Sequence, residues 1–116
     1  MIDENMRGKL VDFGVCHIMN QGDDEIRATA GSTLFFAPEM CTGEAFRGRG
    51  ADVWAAAVSL WYMCYRTYPF QASHASKAFD VILTEEPPYP EFMDQELRDL
   101  LEKLFKKDPK ERITIP

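Results

Sequence analysis

The sequence predicts a mainly α-helical domain that begins with a short β-hairpin. Two segments carry helical patterns: the apolar run over residues 53–65, and a set of leucines at helical spacing over residues 94–107. A third observation concerns the start of the chain, where the apolar residues 1–2 and 9–11 flank the polar stretch DENMRG, which suits a turn. We therefore expect β structure at the start and helices from about residue 51 onward.

The first helix is predicted to begin near Ala51. From there to Tyr65 only Asp52 and Ser59 are plainly polar, and a helix that is apolar all round belongs at the centre of a protein. Asp52 lies in the predicted first turn, where it either caps the helix or holds a neighbouring loop from inside the core. The apolar run is shorter than the roughly 20 residues that a bilayer span needs, so no membrane span is predicted.

Two more helical segments are predicted after residue 70. Residues 72–86 are weakly amphipathic, and the PPYP stretch at 87–90 favours an extended connection. The last helix has acids near its start and lysines near its end, as the helix dipole prefers, and Asp108 and Pro109 terminate it. Its apolar residues at helical spacing are Leu97, Leu100, Leu101, Leu104 and Phe105.

Composition limits the function classes. The chain has 116 residues, 46% of them apolar and 12% aromatic, which suits one small packed domain. A net charge of −6 without a basic cluster argues against a nucleic-acid partner. The three cysteines and two histidines do not have a zinc-site spacing. The odd number of cysteines and the polar start of the chain predict free thiols and a cytoplasmic location.

The stretch between Gly14 and Ala37 has no sustained period. It contains NQGDDE and then a mixture of small hydroxyl residues, glycine and proline. Long loops without structure of their own are uncommon in compact domains and are often functional. This stretch is therefore a candidate regulatory or binding loop.

Several short motifs occur in a distinctive order. Asp12, Phe13 and Gly14 precede a 22-residue loop, then come Ala37, Pro38 and Glu39, an apolar helix that opens with ADVW, and KKDPKERIT near the end. This arrangement, over residues 1–116, resembles the C-terminal lobe of a eukaryotic protein kinase. The stretches AGSTLFFAPE, GRGADVWAAAVSLWYMCYRTYPF and LRDLLEKLFKKDPKERITIP look most like the calcium/calmodulin-dependent protein kinase kinases and related kinases that activate other kinases. On this resemblance, residues 1–39 hold the DFG strand and activation segment, and residues 40–116 the helical part of the lobe.

The resemblance implies roles for the first motif. Asp12 would bind the magnesium ion that accompanies ATP, because magnesium prefers hard oxygen ligands. An aspartate before a glycine is otherwise a simple turn residue, and the ordered companion motifs favour the ligand role. Residues 9–11 would form the strand that aims Asp12 at the nucleotide. Phe13 would pack inward to hold the loop in an active or inactive setting, and Gly14 would supply backbone freedom.

The resemblance also implies an activation segment. Thr29 is the best phosphosite candidate because it stands two residues before Gly31, and Ser32 and Thr33 are the alternatives. A phosphate added there would pair with arginine and order the chain. The Gly31 and Ser32 pair is similar to the glycine and threonine of serine/threonine kinases and supports a hydroxyl substrate, whereas Thr33 departs from the proline common at the next position.

Glu39 and Arg112 would form a buried ion pair that ties the activation segment to the end of the lobe. Asp52 would bond to the backbone of the catalytic loop, and Ala57 stands where many kinases have glycine. The glycine-rich loop, the strand lysine, its partner glutamate and the catalytic loop do not precede Asp12, so the catalytic aspartate is expected upstream. We therefore predict that this chain alone transfers no phosphate and does not bind ATP and magnesium tightly, and that its apolar helix leaves some surface open.

Two function hypotheses follow. The first is a piece of a serine/threonine kinase whose partner is a protein substrate, possibly another kinase. The second is a non-catalytic kinase-like module that binds a protein through the region after Arg66. An unrelated domain that merely contains DFG and APE is disfavoured by the order of the motifs. Nucleic-acid and membrane partners are not expected, and the residues give no basis for inferring calmodulin binding.

Overall fold

The structure is a computed structural model that describes residues 1–19 and 22–115, and it confirms the mainly α fold. Helices occupy the second half of the chain and two very short strands precede them. In chain order the elements are β1 (Glu25–Ile26), 3-10 helices at Thr33–Phe35 and Pro38–Cys41, β2 (Phe46–Arg47), α1 (Gly48–Tyr65), a 3-10 helix at Ala75–Lys77, α2 (Ala78–Thr84) and α3 (Gln95–Leu104).

The predicted N-terminal hairpin is present only as an isolated antiparallel bridge between Ile2 and Gly8. The ammonium of Met1 and the amide of Lys9 each donate to the other residue's carbonyl, at 2.9 and 2.8 Å. The prediction of a strand over residues 9–11 is wrong, because these residues have no strand pairing and Leu10 is 91% exposed. An isolated two-stranded pairing without a buried face is at best marginally stable in water, so it does not propagate.

The two-stranded sheet forms instead from β1 and β2, which run antiparallel with Glu25 opposite Arg47 and Ile26 opposite Phe46. Strand β1 lies inside the predicted loop, of which positions 20 and 21 fall outside the described residues. Strands of two residues produce no measurable alternation in a sequence. The pairing therefore had no local signal.

Helix α1 begins three residues before the predicted start, at Gly48, and ends at Tyr65 as predicted. It is buried along one face, whereas Met63 on the open side is 73% exposed. The expectation of an apolar surface left open on this helix agrees with that exposure. The buried residues of α1 are Gly48, Ala51, Val53, Trp54, Ala57, Val58 and Trp61.

Aromatic rings form the centre of the core. Trp54 stacks on Phe70 with ring centroids 5.3 Å apart, and Phe105 meets Trp54 edge-on at 5.1 Å. Trp61 packs against Phe105 from the next turns of α1 at 6.2 Å. Leu101 of α3 is fully buried in the same cluster. Helices α1 and α3 are thus joined by large apolar side chains from both.

Helix α3 is shorter than the predicted span of 94–107. Asp94 is its N-cap, and its carboxylate accepts hydrogen bonds from the amides of Glu96 and Leu97 at 3.0 and 3.1 Å. At the other end Phe105 leaves the helical conformation while its amide still donates to Leu101. Helix α2 covers 7 residues of the predicted 72–86 segment. Within the described residues, no helix has the length and apolar character that crossing a membrane requires.

Candidate functional site

Asp12 lies in an exposed turn rather than at the end of a strand. Its backbone has φ 66°, a left-handed conformation that aspartate tolerates better than most residues. One carboxylate oxygen accepts a hydrogen bond from the amide of Gly14 at 3.3 Å. The carboxylate therefore organises its own turn and remains accessible from solvent.

Phe13 does not pack inward, which corrects the expectation for this residue. It is 68% exposed and does not belong to the core cluster. The amide of Cys16 donates to the carbonyl of Phe13 at 3.2 Å, which continues the turn that begins at Asp12. Because the chain turns here in solvent, most of the surface of Phe13 stays exposed.

The described residues do not complete a magnesium site. Magnesium sites use near-octahedral oxygen ligands, commonly one or two carboxylates together with substrate phosphates. Asp12 offers one carboxylate, and residues 1–19 and 22–115 contain no group of three or more histidine, cysteine, aspartate or glutamate residues able to hold a metal ion. The role of Asp12 as a magnesium ligand therefore stays a prediction.

The predicted phosphosites lie on an exposed loop. Thr29, Ser32 and Thr33 are all exposed, and Gly31 has φ 104°, a conformation that favours glycine. The carbonyl of Ser32 accepts a hydrogen bond from the amide of Phe35 at 3.0 Å, which begins the first 3-10 helix. The three hydroxyl groups are therefore accessible for modification, and their roles stay predictions.

The end of this loop is anchored by Glu39 and Arg112. Two guanidinium nitrogens of Arg112 donate to the two carboxylate oxygens of Glu39 at 2.6 and 2.8 Å, a bidentate pair. The residues just before Glu39, Ala37 and Pro38, are buried. The structure thus brings together two residues that are 73 positions apart.

Arg112 is 3% exposed and every donor direction of its guanidinium is used. Besides the pair with Glu39, it donates to the carbonyls of Gly50, Lys106 and Lys107 at 2.7, 3.0 and 3.4 Å. The guanidinium also lies over the ring of Trp54 at 5.1 Å. One buried cation therefore joins the loop end, the first turns of α1 and the segment after α3.

Asp24 anchors the same loop nearer its middle. Its two carboxylate oxygens accept hydrogen bonds from the side chain of Arg47 at 3.1 Å and from the amide of Arg49 at 3.3 Å. Its carbonyl accepts from the amide of Gly48 at 2.8 Å. Desolvation acts to raise the pKa of Asp24, but the hydrogen bonds from Arg49 and Arg47 outweigh it and leave the pKa below its ordinary value. The carboxylate is therefore bound as the anion.

Asp52 does not cap α1 in the described residues, and its bond to the catalytic loop, which is expected upstream of this chain, stays a prediction. It is exposed, and no hydrogen bond from its side chain is found in that part of the chain. Because α1 begins at Gly48, Asp52 falls beyond the first free amides. The amides at the helix start are met by Asp24 instead.

Two half-buried groups near the core, Lys107 and Cys41, were missed by sequence reasoning. The ammonium of Lys107 donates to the carbonyls of Ile82 and Glu85 at the end of α2, at 2.5 and 2.6 Å, and lies 4.2 Å from the ring centre of Phe70. Burial lowers the pKa of Lys107. Burial also raises the pKa of the Cys41 thiol to about 11, and the carboxylate of Glu39 adds to that shift. Cys41 is therefore a poor nucleophile at neutral pH.

The missed contacts share one cause. The sequence alone indicates only that Lys107 is a charge suited to a helix end and that Asp24 belongs to a polar loop. A short motif such as DDE before a β-branched residue, followed later by an arginine and a glycine, was the available signal for Asp24. Such a signal is weak without knowledge of the chain path between the two segments.

Comparison with known proteins identifies relatives over the whole chain. The family model described as the protein kinase domain matches residues 1–116. The chain is 36% identical to serine/threonine-protein kinase GRIK1 of Arabidopsis thaliana over 115 residues, which cover 99% of this chain and 29% of that protein. It is 40% identical to serine/threonine-protein kinase ssp1 of Schizosaccharomyces pombe over 119 aligned positions, which cover 92% of this chain and 18% of that protein.

A third relative is the probable serine/threonine-protein kinase DDB_G0279405 of Dictyostelium discoideum, 40% identical over 92% of this chain and 16% of that protein. The chain thus spans less than a third of the length of each of these relatives. The residues that the family model matches include both Glu39 and Arg112.

Proposed function

Because the chain belongs to the protein kinase family, we propose that it is the C-lobe portion of a serine/threonine kinase that transfers phosphate from ATP to protein hydroxyl groups. The observation that carries this proposal is the bidentate pair of Glu39 and Arg112, which ties the end of the loop to the end of the domain. A kinase needs that loop held rigidly, since its catalysis depends on positioning and electrostatic stabilisation.

The class of substrate is proposed from the relatives and from the loop. The relatives are named serine/threonine kinases, and Ser32 follows Gly31 at the position where the resemblance expects a hydroxyl residue. The finer likeness to the calcium/calmodulin-dependent protein kinase kinases supports a protein substrate that is itself a kinase. We also propose a cytoplasmic location, because the free cysteines suit a reducing compartment.

ATP and magnesium enter this proposal only through Asp12. When bound, the ion would neutralise phosphate charge, and Asp12 would be one of its oxygen ligands. The turn at Gly14 keeps that carboxylate exposed, with one oxygen engaged by an amide. The chain's own contribution is therefore the ligand and the anchored loop, and the phosphate-transfer step requires residues outside it.

A chimera tests the proposal. The stretch of Arabidopsis GRIK1 that precedes its matched segment is joined to residues 1–116, and phosphate transfer from ATP to a generic protein substrate is measured. We expect activity from the chimera, none from residues 1–116 alone, and none from the chimera with Asp12→Ala. Asp99→Ala, which changes an exposed carboxylate on α3, is the control and should stay active.

A folded but inactive chimera, with full-length GRIK1 active in the same assay, would contradict the proposal. Phosphate transfer by residues 1–116 alone would contradict the claim that the transfer step requires residues outside this chain. The chimera retaining activity with Asp12→Ala would remove Asp12 from the magnesium site while leaving the kinase proposal intact.

One observation favours the non-catalytic alternative. A shallow, open cavity of about 410 Å³ lies at the C-terminal end of α1, in the region where the alternative expects a protein to bind. In the alternative, the inactive chimera would be accompanied by direct binding of residues 1–116 to a protein kinase in calorimetry, and Tyr68→Ala would weaken that binding. The cavity is lined by Leu34, Tyr62, Arg66, Thr67, Tyr68, Gln71 and Ala72.

A further inference from the structure

We propose that Asp24 is a positioning residue that holds the activation segment on the start of α1 without an added phosphate. The inference rests on the proposed function for the name of the segment, but its geometry is independent of phosphate transfer. It concerns the half of the loop that the Glu39 and Arg112 pair does not reach.

The contacts of Asp24 converge on one turn of helix. The first amides of a helix have no partner within the helix, and the N-cap residue of α1, Arg47, makes no side-chain cap bond. Asp24 supplies what the cap lacks: its carbonyl accepts from Gly48 at 2.8 Å and its carboxylate from Arg49 at 3.3 Å. A carboxylate at this end also gains from the helix dipole.

Arg47 closes the same contact from the helix side. Its guanidinium donates to Asp23 and Asp24, both at 3.1 Å, and its backbone pairs with Glu25 in the two-stranded sheet. The guanidinium of Arg47 is therefore already paired with two carboxylates of the loop. The ordering that phosphate and arginine provide in a modified loop is provided here by aspartate.

Steric fit limits how the segment can sit. A Cβ atom added to Gly48 would lie 2.6 Å from the side-chain methyl carbon of Met19 and 2.7 Å from that of Ile26. The loop thus packs directly on the backbone of α1 at a glycine. Close approach and hydrogen bonding coincide at the same point, so the anchor is a defined contact rather than a loose charge attraction.

The anchor has a consequence for the phosphosite candidates. Strand β1 ends at Ile26 and the 3-10 helix begins at Thr33. Residues 27–32 therefore form a loop of six residues between two anchored elements, and we call this loop the tether. Thr29 and Ser32 lie on this tether and are exposed. Asp24 therefore presents these hydroxyl groups on a short loop before any modification.

Limited proteolysis of unphosphorylated protein tests the inference. Trypsin cleavage after Arg27, on the tether, is followed by mass spectrometry in residues 1–116 and in the chimera. Cleavage of a locally opened state follows the population of that state, so we expect Asp24→Asn to speed it by about tenfold. Glu44→Gln removes the same charge from a residue without a side-chain hydrogen bond in the described part of the chain, and should leave the rate unchanged.

A second readout separates positioning from general destabilisation. Hydrogen exchange in Asp24→Asn should rise for the amides of Arg49 and the β1 strand, while the amides of α3 keep their wild-type protection. The inference would be overturned if the variant lost protection uniformly. It would also be overturned if the unphosphorylated wild-type tether were cleaved as fast as that of the variant and became resistant only after phosphorylation of Thr29. An inactive chimera with slow wild-type cleavage would count against the proposed function alone.

Discussion

Residues 1–18 and residues 33–115 are both rich in large apolar side chains, yet only the second region has a core. In the second region Trp54, Trp61, Leu101 and Phe105 are almost completely buried. In the first region, the large apolar residues with at least half of their surface exposed are Met1, Ile2, Met6, Leu10, Val11, Phe13, Val15 and Ile18.

The difference follows from the elements that carry these residues. Helices α1 and α3 repeat apolar residues at helical spacing, so each helix presents a stripe that its neighbour can cover. Residues 1–18 contain one isolated bridge and turns, which present no continuous face. Apolar residues thus form a core only when regular secondary structure places them on one continuous face. Matched substitutions in the two regions compare how much such residues contribute to the free energy of unfolding.

The largest contrast is expected between Arg112→Ala and Arg7→Ala. Removing Arg112 leaves the Glu39 carboxylate without its buried partner, and such a loss costs about 3–5 kcal/mol of unfolding free energy. Arg7 is exposed, and its truncation should change stability by less than about 0.5 kcal/mol. Urea unfolding followed by the fluorescence of Trp54 and Trp61 measures both, and equal effects would break the contrast between the regions.

A pair of leucine truncations is expected to come next. Leu101 is 0% exposed and Leu10 is 91% exposed. Leu101→Ala should cost about 2–5 kcal/mol because it removes buried surface and leaves a cavity. Leu10→Ala should leave the urea midpoint in place. A large loss from Leu10→Ala would mean that residues 1–18 pack on the core in solution.

The two lysines give a smaller contrast. Lys107→Met keeps the packing of the stem but removes the donor to the carbonyls of Ile82 and Glu85, which should cost about 1–3 kcal/mol. Lys9→Met breaks a 3.8 Å exposed pair with Asp3 and should cost less than about 1 kcal/mol. Thermal unfolding of both variants checks the order, and a Lys107→Met protein as stable as wild type would show that the half-buried ammonium is energetically neutral.

The smallest contrast compares two aspartates with similar local bonds. Asp94 accepts from two amides at the start of α3, and Asp3 accepts from the amides of Asn5 and Arg7 at 3.0 and 2.8 Å. Asp94→Ala should cost about 1 kcal/mol as a lost N-cap. Asp3→Ala should not change the core transition, because its turn is not packed on the core. The reverse order would show that the N-terminal turn is coupled to global unfolding.

Sequence reasoning was reliable where a pattern was local or the motif order was long. It predicted helix α1 to within three residues at its start, and it placed α3 with Asp94 at its beginning. The order of DFG, APE and the late arginine predicted the kinase family that the family model matches. Each of these motifs is too short to be specific by itself, but their order along the chain is specific to the family.

The errors concern residues whose position depends on distant neighbours. Phe13 was expected inside and is exposed, and residues 9–11 were expected as a strand and are not one. Asp52 was expected as a possible cap of α1, and Asp24 accepts from the first helix amides instead. In each case, the outcome depends on whether another segment lies within hydrogen-bond or packing distance, which no local period encodes.

The sequence by itself determined the helices, the apolar stripes, the kinase motifs and the residue types at Glu39 and Arg112, because helical period and motif order are properties of neighbours along the chain. The tertiary structure alone decided that Asp24 meets the start of α1, that β1 pairs with β2, and that Lys107 lies beneath the end of α2. These contacts join residues 20 or more positions apart. They exist because the packed core brings the segments together, and unsatisfied helix-end groups then bind the nearest polar side chain.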